Sequence, residues 1–154
     1  MTDVHSPAVR SKNMRAIRST NTKPELKIRS ALHGRGFRYR LNYSGLPGKP
    51  DLVLKKYRAA IFVHGCFWHQ HSCELFKWPA SNREFWKAKL TQNHIRDLSN
   101  EAKLAGLGWR TATIRECSLK GSNRKSLDEI VETIANWLIS MNCHPLEIQG
   151  NKSK

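Results

Sequence analysis

The sequence predicts one three-layer α/β/α domain built on a mixed sheet. Its 154 residues fit a single domain of ordinary size, and no repeat or linker divides them. Helix and strand signals follow in the order helix, three strands, helix, strand, helix, which favours helices packed on both faces of a sheet. Residues 59–63 (Ala-Ala-Ile-Phe-Val) are uniformly apolar, as in a strand buried on both faces.

Two capping boxes predict where the first and last of these helices begin. Residues 22–25 (Thr-Lys-Pro-Glu) combine an N-cap threonine with a glutamate three positions later. That helix is expected to end near Gly34 or Gly36. Residues 126–129 (Ser-Leu-Asp-Glu) repeat the pattern and predict a helix that continues to about Leu138.

The middle helix is predicted to be long. Asn82 is its expected N-cap, and it runs to about Leu104 before two glycines. At about 100° per residue, one apolar stripe is expected to face the core. This stripe consists of Ile95, Leu98, Ala102 and Ala105. The opposite face carries Trp86, Lys89 and Asn93, which makes it a candidate binding surface.

The strands differ in their expected burial. Residues 37–41 alternate apolar and basic side chains, which predicts a half-exposed strand. Residues 51–54 form a short strand, residues 59–63 a central strand and residues 109–114 a fourth strand. If the second and third strands pair as a hairpin, Asp51 lies beside the end of the third strand, at Val63 and His64.

The charge predicts a polyanionic partner. Lysine and arginine number 27 against 12 acidic residues, giving a formal net charge of +15 and a pI near 10.2. Nucleic acid is favoured over a membrane because no apolar run is long enough to span a bilayer. The N-terminus lacks an apolar signal core, so we expect a cytoplasmic protein with reduced cysteines.

Three regions are expected along the chain. Residues 1–20 form a basic N-terminal arm or helix that contacts nucleic acid, with Pro7 at its first helical position. Residues 21–141 form the folded domain. Residues 142–154 are expected to be a flexible tail.

Histidine and cysteine crowd into residues 64–73 (His-Gly-Cys-Phe-Trp-His-Gln-His-Ser-Cys). Zn²⁺ takes four soft or borderline ligands, and a closed Cys₃His site is structural. The predicted ligands are Cys66, His71, Cys73 and Cys117. His64 and His69 compete with His71 for the nitrogen position. Buried thiols in an ordinary core are the alternative.

Aromatic residues are a second feature of this segment. Phe67 and Trp68 lie in a polar stretch, where displayed rings can act as a wedge that unstacks base pairs. Core packing is an equally good interpretation of this pair. Trp86, Lys89 and Asn93 could read bases, since lysine and asparagine pair with base edges. A solvated helix face with one packed tryptophan is the alternative.

Acid–base chemistry is suggested by residues near the predicted hairpin. Asp51, with the main-chain carbonyl that ends the third strand, offers the oxygen ligands that Mg²⁺ prefers. Glu25 is a candidate to reach the same site from its helix, and its place in the capping box is the strong alternative explanation. His69, if it does not bind zinc, suits a general base near neutral pH.

Several motifs together match a known pattern over residues 5–140. They are residues 10–17 (Arg-Ser-Lys-Asn-Met-Arg-Ala-Ile), 46–51 (Leu-Pro-Gly-Lys-Pro-Asp) and 61–69 (Ile-Phe-Val-His-Gly-Cys-Phe-Trp-His), then His71, Cys73, residues 84–86, Asn93, residues 107–109, Glu116 and Cys117. With these motifs the chain resembles the very short patch repair (Vsr) mismatch endonucleases. The resemblance implies a restriction-endonuclease-like fold with a structural zinc site. It also implies a nick 5′ to the thymine of a T:G mismatch, which arises when 5-methylcytosine deaminates.

The resemblance also implies roles for single residues. Asp51 and the Val63 carbonyl would bind Mg²⁺, although some relatives carry threonine at position 63. His69 would be the general base, supported by Glu25 and His64. Zinc would lie on the four ligands already named. The DNA-contacting residues would be Met14, Phe67, Trp68, Trp86, Lys89 and Asn93.

The expected protein is therefore a Mg²⁺-dependent, strand-nicking DNA endonuclease of the bacterial cytoplasm and nucleoid, whose endonuclease domain is residues 21–141. Its expected partner is double-stranded DNA with a T:G mismatch, on which it acts as a monomer, with accessory mismatch-repair proteins as further candidates. Two other classes stay open: a non-catalytic, zinc-stapled DNA-binding protein and a restriction-type endonuclease that cuts both strands.

Overall fold

The computed structural model describes residues 22–151. Within them, three helices accompany five strands and two short 3₁₀ turns. The helices are α1 (Lys23–Gly34), α2 (Arg83–Gly106) and α3 (Leu127–Ser140). The strands are β1 (Arg40–Leu41), β2 (Leu52–Leu54), β3 (Ala59–His64), β4 (Arg110–Arg115) and β5 (Leu146–Ile148). The 3₁₀ turns are Lys55–Tyr57 and Glu116–Ser118.

The sheet has the strand order β1-β2-β3-β4-β5, with β3 in its centre. The first three strands are antiparallel, and Leu52 of β2 stands opposite Ile61 of β3, so the predicted hairpin is confirmed. β3, β4 and β5 are parallel to one another. The predicted α/β class and mixed sheet are therefore confirmed.

The helices cover both faces of the sheet. α1 and α3 pack together on one face, where Ile28 and Ile134 join the core side chains of the strands. α2 covers the other face and contacts β4. Alternate residues of β3 separate the two layers: Ile61 belongs to the apolar core, whereas Phe62 and His64 line a cavity beside α2.

The face that α2 turns towards the sheet corrects the predicted apolar stripe. Ile95 and Leu98 are 60% and 55% exposed, whereas Leu90 and Leu104 are fully buried. The reason lies in the surface that the helix covers. Between α2 and the sheet is a cavity of about 220 Å³, lined by Phe62, Leu98 and a majority of polar side chains, so a helix face that is mostly polar fits against it. The polar lining includes His64, Thr111, Thr113, Arg115, Asp97 and Asn100.

Two of the three predicted caps are confirmed. The side chain of Thr22 accepts a hydrogen bond from the Glu25 nitrogen, and Ser126 accepts one from the Glu129 nitrogen. Asn82 precedes α2 as predicted, but it has a left-handed backbone with φ of 55° and makes no side-chain cap. Capping side chains ordinarily extend from a residue with a β-region backbone, which Asn82 does not have, and this explains the difference.

The predicted strand at residues 37–41 is shorter in the structure. Only Arg40 and Leu41 pair with β2, because Phe37 packs into the core and the Tyr39 hydroxyl donates to the Arg29 carbonyl. The remainder of the predicted strand is therefore a connection between α1 and the sheet edge.

The expectation of a flexible tail from residue 142 needs correction. Residues 146–148 form β5, which pairs with β4, and Ile148 is buried in the core. Three residues at a sheet edge give too short a pattern to be recognised, because the stabilising contacts come from a distant strand. The N-terminal arm, including Met14, lies outside the described residues. None of the helices in residues 22–151 has the length and apolar character of a membrane span.

Candidate active site and metal centre

The candidate site lies at the edge of the sheet where β3 and β4 end. Because these strands are parallel, both of their carboxyl ends reach the same edge, and the antiparallel β2 begins there. This arrangement gathers Asp51, His64 and Cys117 from three separate stretches of sequence. The loop that follows β3 carries the remaining histidines and cysteines.

Asp51 is held at this edge by the end of β3. Its Oδ2 accepts a hydrogen bond of 2.7 Å from the main-chain N–H of Val63, which agrees with the predicted proximity of these residues. Burial raises the pKa of Asp51 to about 7. The Val63 N–H and the charge of His69 oppose the rise, and the charge of Glu25 adds to it.

Glu25 approaches the same position from the first turn of α1. Its side chain is 1% exposed, and its Oε1 accepts no hydrogen bond from the described residues. Arg29 Nη1 lies 3.8 Å from this oxygen. The charge of Glu25 raises the pKa of Asp51, and Glu25 has a buried oxygen without a hydrogen bond. Such a pair of carboxylates is the donor set that a hard divalent cation stabilises. Asp51 and Glu25 therefore fit a divalent metal.

His64 and His69 form a stacked pair next to these carboxylates. Their ring centroids are 3.6 Å apart and their planes differ by 5°. Burial, together with the charge of His69, lowers the pKa of His64 to about 3, so His64 stays neutral near pH 7. His64 Nδ1 makes no hydrogen bond to the described residues.

Asp97 of α2 joins this pair and was not predicted from the sequence. Its Oδ2 lies 2.5 Å from Nδ1 of His69. Burial acts to raise the pKa of Asp97, but the hydrogen bond from His69 and nearby positive charge outweigh it and lower the pKa. One signal could have found it: Asp97 lies one helical turn after Asn93, on the face already singled out at Trp86.

The four predicted zinc ligands come together on the other side of the loop. The ligand atoms of Cys66, His71, Cys73 and Cys117 all lie within 4.8 Å of one another. His71 Nδ1 is 3.7 Å from Cys117 Sγ, and the Cys117 N–H donates to Cys66 Sγ at 3.4 Å. Three sulfurs and one imidazole are a donor set that suits zinc.

Two of the three thiols in this group, those of Cys66 and Cys117, are buried away from water. Cys66 is fully buried, and burial raises the pKa of both the Cys66 and Cys117 thiols. Buried neutral thiols at such short separations would gain strongly from a shared cation, because metal binding releases their protons. This burial, together with the donor set, indicates that the group fits a tetrahedral metal ion.

The loop after β3 places His69 and His71 in different groups of side chains. Residues 66–70 form successive turns, and the His71 N–H donates to the Cys66 carbonyl at 2.9 Å. Folding back in this way brings His69 against His64 and brings His71 against the cysteines. His64 and His69 thus lie with Asp97, apart from the cysteine group.

Aromatic side chains form a continuous cluster on the outer side of this loop. Phe67 contacts Trp68 and Trp86 at centroid distances of 5.1 and 5.5 Å, and Trp68 lies 5.9 Å from Trp86. All three rings are half-buried. The loop is therefore not extended, and the rings of Phe67 and Trp68 meet edge to face. Further aromatic residues at its rim are Phe76, Trp78 and Phe85.

The two polar residues predicted beside Trp86 differ in their surroundings. The Asn93 side chain donates to the Trp68 carbonyl at 3.1 Å, so it fixes the loop that carries the aromatic rings. Lys89 is exposed. The surface formed by these residues and the aromatic cluster faces away from the core that α1 and α3 share.

Comparison with known proteins provides independent information. The family profile described as DNA mismatch endonuclease Vsr matches residues 2–75. The chain is 44% identical over 138 residues to the DNA mismatch endonuclease Vsr of Escherichia coli K12, covering 90% of this chain and 88% of that protein. It is 46% identical over 119 residues to the type II nicking enzyme V.XorIIP of Xanthomonas oryzae, covering 77% and 88%. It is 43% identical over 136 residues to the type II nicking enzyme V.NmeAIP of Neisseria meningitidis, covering 87% and 97%.

Proposed function

Since this chain belongs to the Vsr family of DNA mismatch endonucleases, we propose that it nicks one strand of DNA 5′ to the thymine of a T:G mismatch. Membership of the family makes the chain a DNA endonuclease. We propose further that the mismatch arises by deamination of 5-methylcytosine and that nicking depends on Mg²⁺. We also propose that the fold is related to that of the type II restriction endonucleases.

The observation that carries the proposal is the meeting of Asp51 and His69 at one sheet edge. A buried carboxylate and an imidazole are the two groups that hydrolysis of a phosphodiester needs, as an oxygen ligand and as a proton acceptor. They come from different elements, and they lie close enough for the charge of His69 to counteract the rise in the pKa of Asp51. A purely structural role would not require this juxtaposition.

Asp51 would hold a magnesium ion, with Glu25 and the Val63 carbonyl as further oxygen donors. A bound magnesium ion would supply Lewis-acid polarisation of the phosphate and charge stabilisation of the leaving oxygen. Glu25 contributes negative charge from α1. The N–H of Val63 holds the Asp51 carboxylate in place through the 2.7 Å hydrogen bond.

His69 would act as the general base. Its Nδ1 is engaged by Asp97, so the Nδ1 proton stays on that nitrogen and Nε2 keeps its lone pair. Nε2 takes a proton from the attacking water, the water oxygen forms a bond to phosphorus, and one P–O ester bond breaks. His64 supports the His69 ring by stacking and stays neutral, so it adds no charge that would oppose protonation of His69.

The cysteine group would hold a structural zinc ion. Its ligands would be Cys66, His71, Cys73 and Cys117, which leave no open position for substrate. The ion would fix the loop whose intervening residues are Phe67, Trp68 and His69. In this proposal one ion therefore positions both the general base and the aromatic wedge.

Phe67, Trp68 and Trp86 would form that wedge. Their mutual edge-to-face contacts preorganise three flat surfaces, and a weakly paired T:G site lowers the energy needed to unstack the bases. Lys89 and Asn93 would lie near the mismatch, and Met14 would enter from the other groove. The net charge of +15 supports binding to the phosphate backbone, which should weaken steeply with added salt.

The test is nicking of an end-labelled duplex that carries one T:G mismatch, beside the matched C:G duplex. The wild type is expected to cut only the thymine-containing strand, and only with Mg²⁺. Asp51→Ala and His69→Ala should each slow the nick by roughly a hundredfold or more while mismatch binding persists. Normal nicking by either variant would remove this active site. Linear product from a matched plasmid would instead favour a restriction-type enzyme, and binding without cleavage would favour a non-catalytic protein.

A further inference from the structure

The C-terminal segment after β5 lies against the metal centre. Because β5 runs parallel to β4, both strands end at the same edge of the sheet. Residues 149–151, which come after β5, therefore lie beside the 3₁₀ turn that contains Cys117. A cavity of about 290 Å³ is lined jointly by His71, Cys73, Cys117 and this segment. Nothing in the pattern of residues 142–154 predicted this contact.

Gln149 contacts the outer nitrogen of His71. Gln149 Oε1 lies 2.9 Å from His71 Nε2, while Nδ1 of the same ring faces Cys117. A histidine that binds metal through Nδ1 must carry its proton on Nε2, and it then donates that proton to an acceptor. The Gln149 amide oxygen supplies such an acceptor. It selects the tautomer that leaves Nδ1 free to ligate.

Gly150 contacts a cysteine of the same centre. Its N–H donates to Cys117 Sγ at 3.3 Å, which stabilises negative charge on the sulfur. A Cβ at this position would lie 2.6 Å from the Cys117 carbonyl oxygen and 3.0 Å from the Asn123 carbonyl oxygen. Since both neighbours are backbone atoms, only glycine brings its amide this close to the sulfur.

The segment is also hydrogen-bonded to the loop around Asn123, which lines the same cavity. The Asn151 N–H donates to the Asn123 carbonyl at 2.7 Å. The Asn123 N–H in turn donates to Glu74, the residue after Cys73, at 2.9 Å. Hydrogen bonds therefore join the segment to both sides of the ligand group.

From these contacts we propose that Gln149 and Gly150 are the outer shell of the Cys₃His centre, so that bound metal and the C-terminal segment stabilise each other. The inference rests on the proposed zinc site. If the C-terminal segment increases the affinity for the metal, bound metal stabilises the segment by the same free energy. Both directions of this coupling are measurable without any nicking assay.

The first experiment measures zinc release from the full-length, zinc-loaded protein to a chromogenic chelator. Gln149→Leu, which removes the acceptor, is expected to release zinc roughly tenfold faster than wild type or more. Gly150→Ala is expected to do the same. Gln149→Glu keeps an acceptor and should stay near the wild-type rate. Glu147→Gln is the matched control, because Glu147 lies on β5 but pairs with Arg115.

The second experiment measures amide hydrogen exchange in residues 146–151 with and without zinc. Faster exchange in the metal-free protein is expected, and Gln149→Leu should reproduce part of this increase. The outer-shell role would be overturned if Gln149→Leu and Gly150→Ala both released zinc at the wild-type rate. It would also be overturned if amide exchange in residues 146–151 were the same with and without zinc. A wild-type protein that binds no zinc would overturn the metal site itself, so the two failures are distinguishable.

Discussion

Asp97 Oδ2 and His69 Nδ1 lie 2.5 Å apart, joining the middle of α2 to the loop after β3. Both side chains are about one quarter exposed, so the pair sits at the boundary between the protein and solvent. A carboxylate in this position fixes both the orientation and the tautomer of an imidazole. Asp97 is therefore a positioning residue in the proposed mechanism, acting through His69.

Replacement of Asp97 tests this relationship. Asp97→Ala is expected to slow single-turnover nicking of T:G duplex by roughly tenfold to a hundredfold, because His69 loses its orienting partner. Affinity for the duplex should stay unchanged. Asp97→Asn keeps an acceptor at the same place and should recover part of the rate.

A double variant separates positioning from a general structural effect. If Asp97 acts through His69, then Asp97→Ala combined with His69→Ala nicks no more slowly than His69→Ala alone. Multiplied losses in the double variant would contradict this role. Zinc content and thermal unfolding of each variant serve as controls for folding.

Asp51 should reduce the stability of the Mg²⁺-free protein at neutral pH. Its pKa is about 7 in the fold against an ordinary 3.8, so the folded state binds the proton more tightly than the unfolded state. The stability from this proton is present below about pH 4 and is lost as the pH rises through about 7. Asp51→Asn should therefore raise the free energy of unfolding by about 2 kcal/mol or more at about pH 8.

Denaturant unfolding of both proteins at about pH 8 and about pH 5.5 measures this effect. The advantage of Asp51→Asn should shrink at the lower pH. Because both proteins share His64, the difference between them isolates Asp51. An equal or larger advantage at the lower pH would show that burial does not hold the Asp51 proton as described.

Removal of the metal should unfold the loop that carries the site. The purified protein is expected to contain about one zinc ion per chain, and Cys117→Ser should lose it together with a large part of its thermal stability. Cys143→Ser is the matched control, because Cys143 is exposed and lies outside the ligand group. Metal analysis and calorimetry measure both effects. Normal zinc content in Cys117→Ser would contradict the ligand set.

Trp68 should contribute more to recognition than to chemistry. Trp68→Ala is expected to lower the preference for mismatched over matched duplex by roughly tenfold, since stacking on an aromatic ring contributes about 1–3 kcal/mol per base. Trp68→Phe, which keeps a flat ring, should retain most of the preference. Competition binding with the two duplexes measures it. An equal preference for mismatched duplex in wild type and Trp68→Ala would contradict the proposed role of Trp68 as part of the wedge.

The face of α2 that packs on the sheet can be tested with two leucines on one helix. Leu104→Ala should lower the free energy of unfolding by roughly 2–5 kcal/mol, because Leu104 is fully buried. Leu98→Ala should change it by no more than about 0.5 kcal/mol, because Leu98 is 55% exposed. If both substitutions lowered the free energy of unfolding by similar amounts, the apolar stripe that contains Leu98 would be a buried face after all.

The sequence predicted the features that depend on neighbours along the chain. The hairpin of β2 and β3 and the capped starts of α1 and α3 follow from patterns a few residues long. The four candidate zinc ligands were also predicted, because three of them lie within eight positions of one another. The family followed from motifs of the same local kind.

Other features depend on contacts that short patterns do not report. The apolar stripe of α2 faces outward because the sheet surface beneath the helix is polar, and that surface is assembled from β3 and β4. In the sequence Asp97 is one of several polar residues of α2, and its contact with His69 arises only because α2 packs beside the loop after β3. β5 is too short to be recognised without its partner strand.

The sequence by itself thus determined which elements form and which side chains can carry chemistry, since propensity, capping and residue type are local properties. Only the tertiary structure decided which of those side chains meet. His69 lies with Asp97 and His64, while His71 lies with the cysteines and Gln149, although the two histidines are two positions apart. The physical reason is the tight turn at residues 66–70, which directs neighbouring side chains to surfaces built from distant strands and helices.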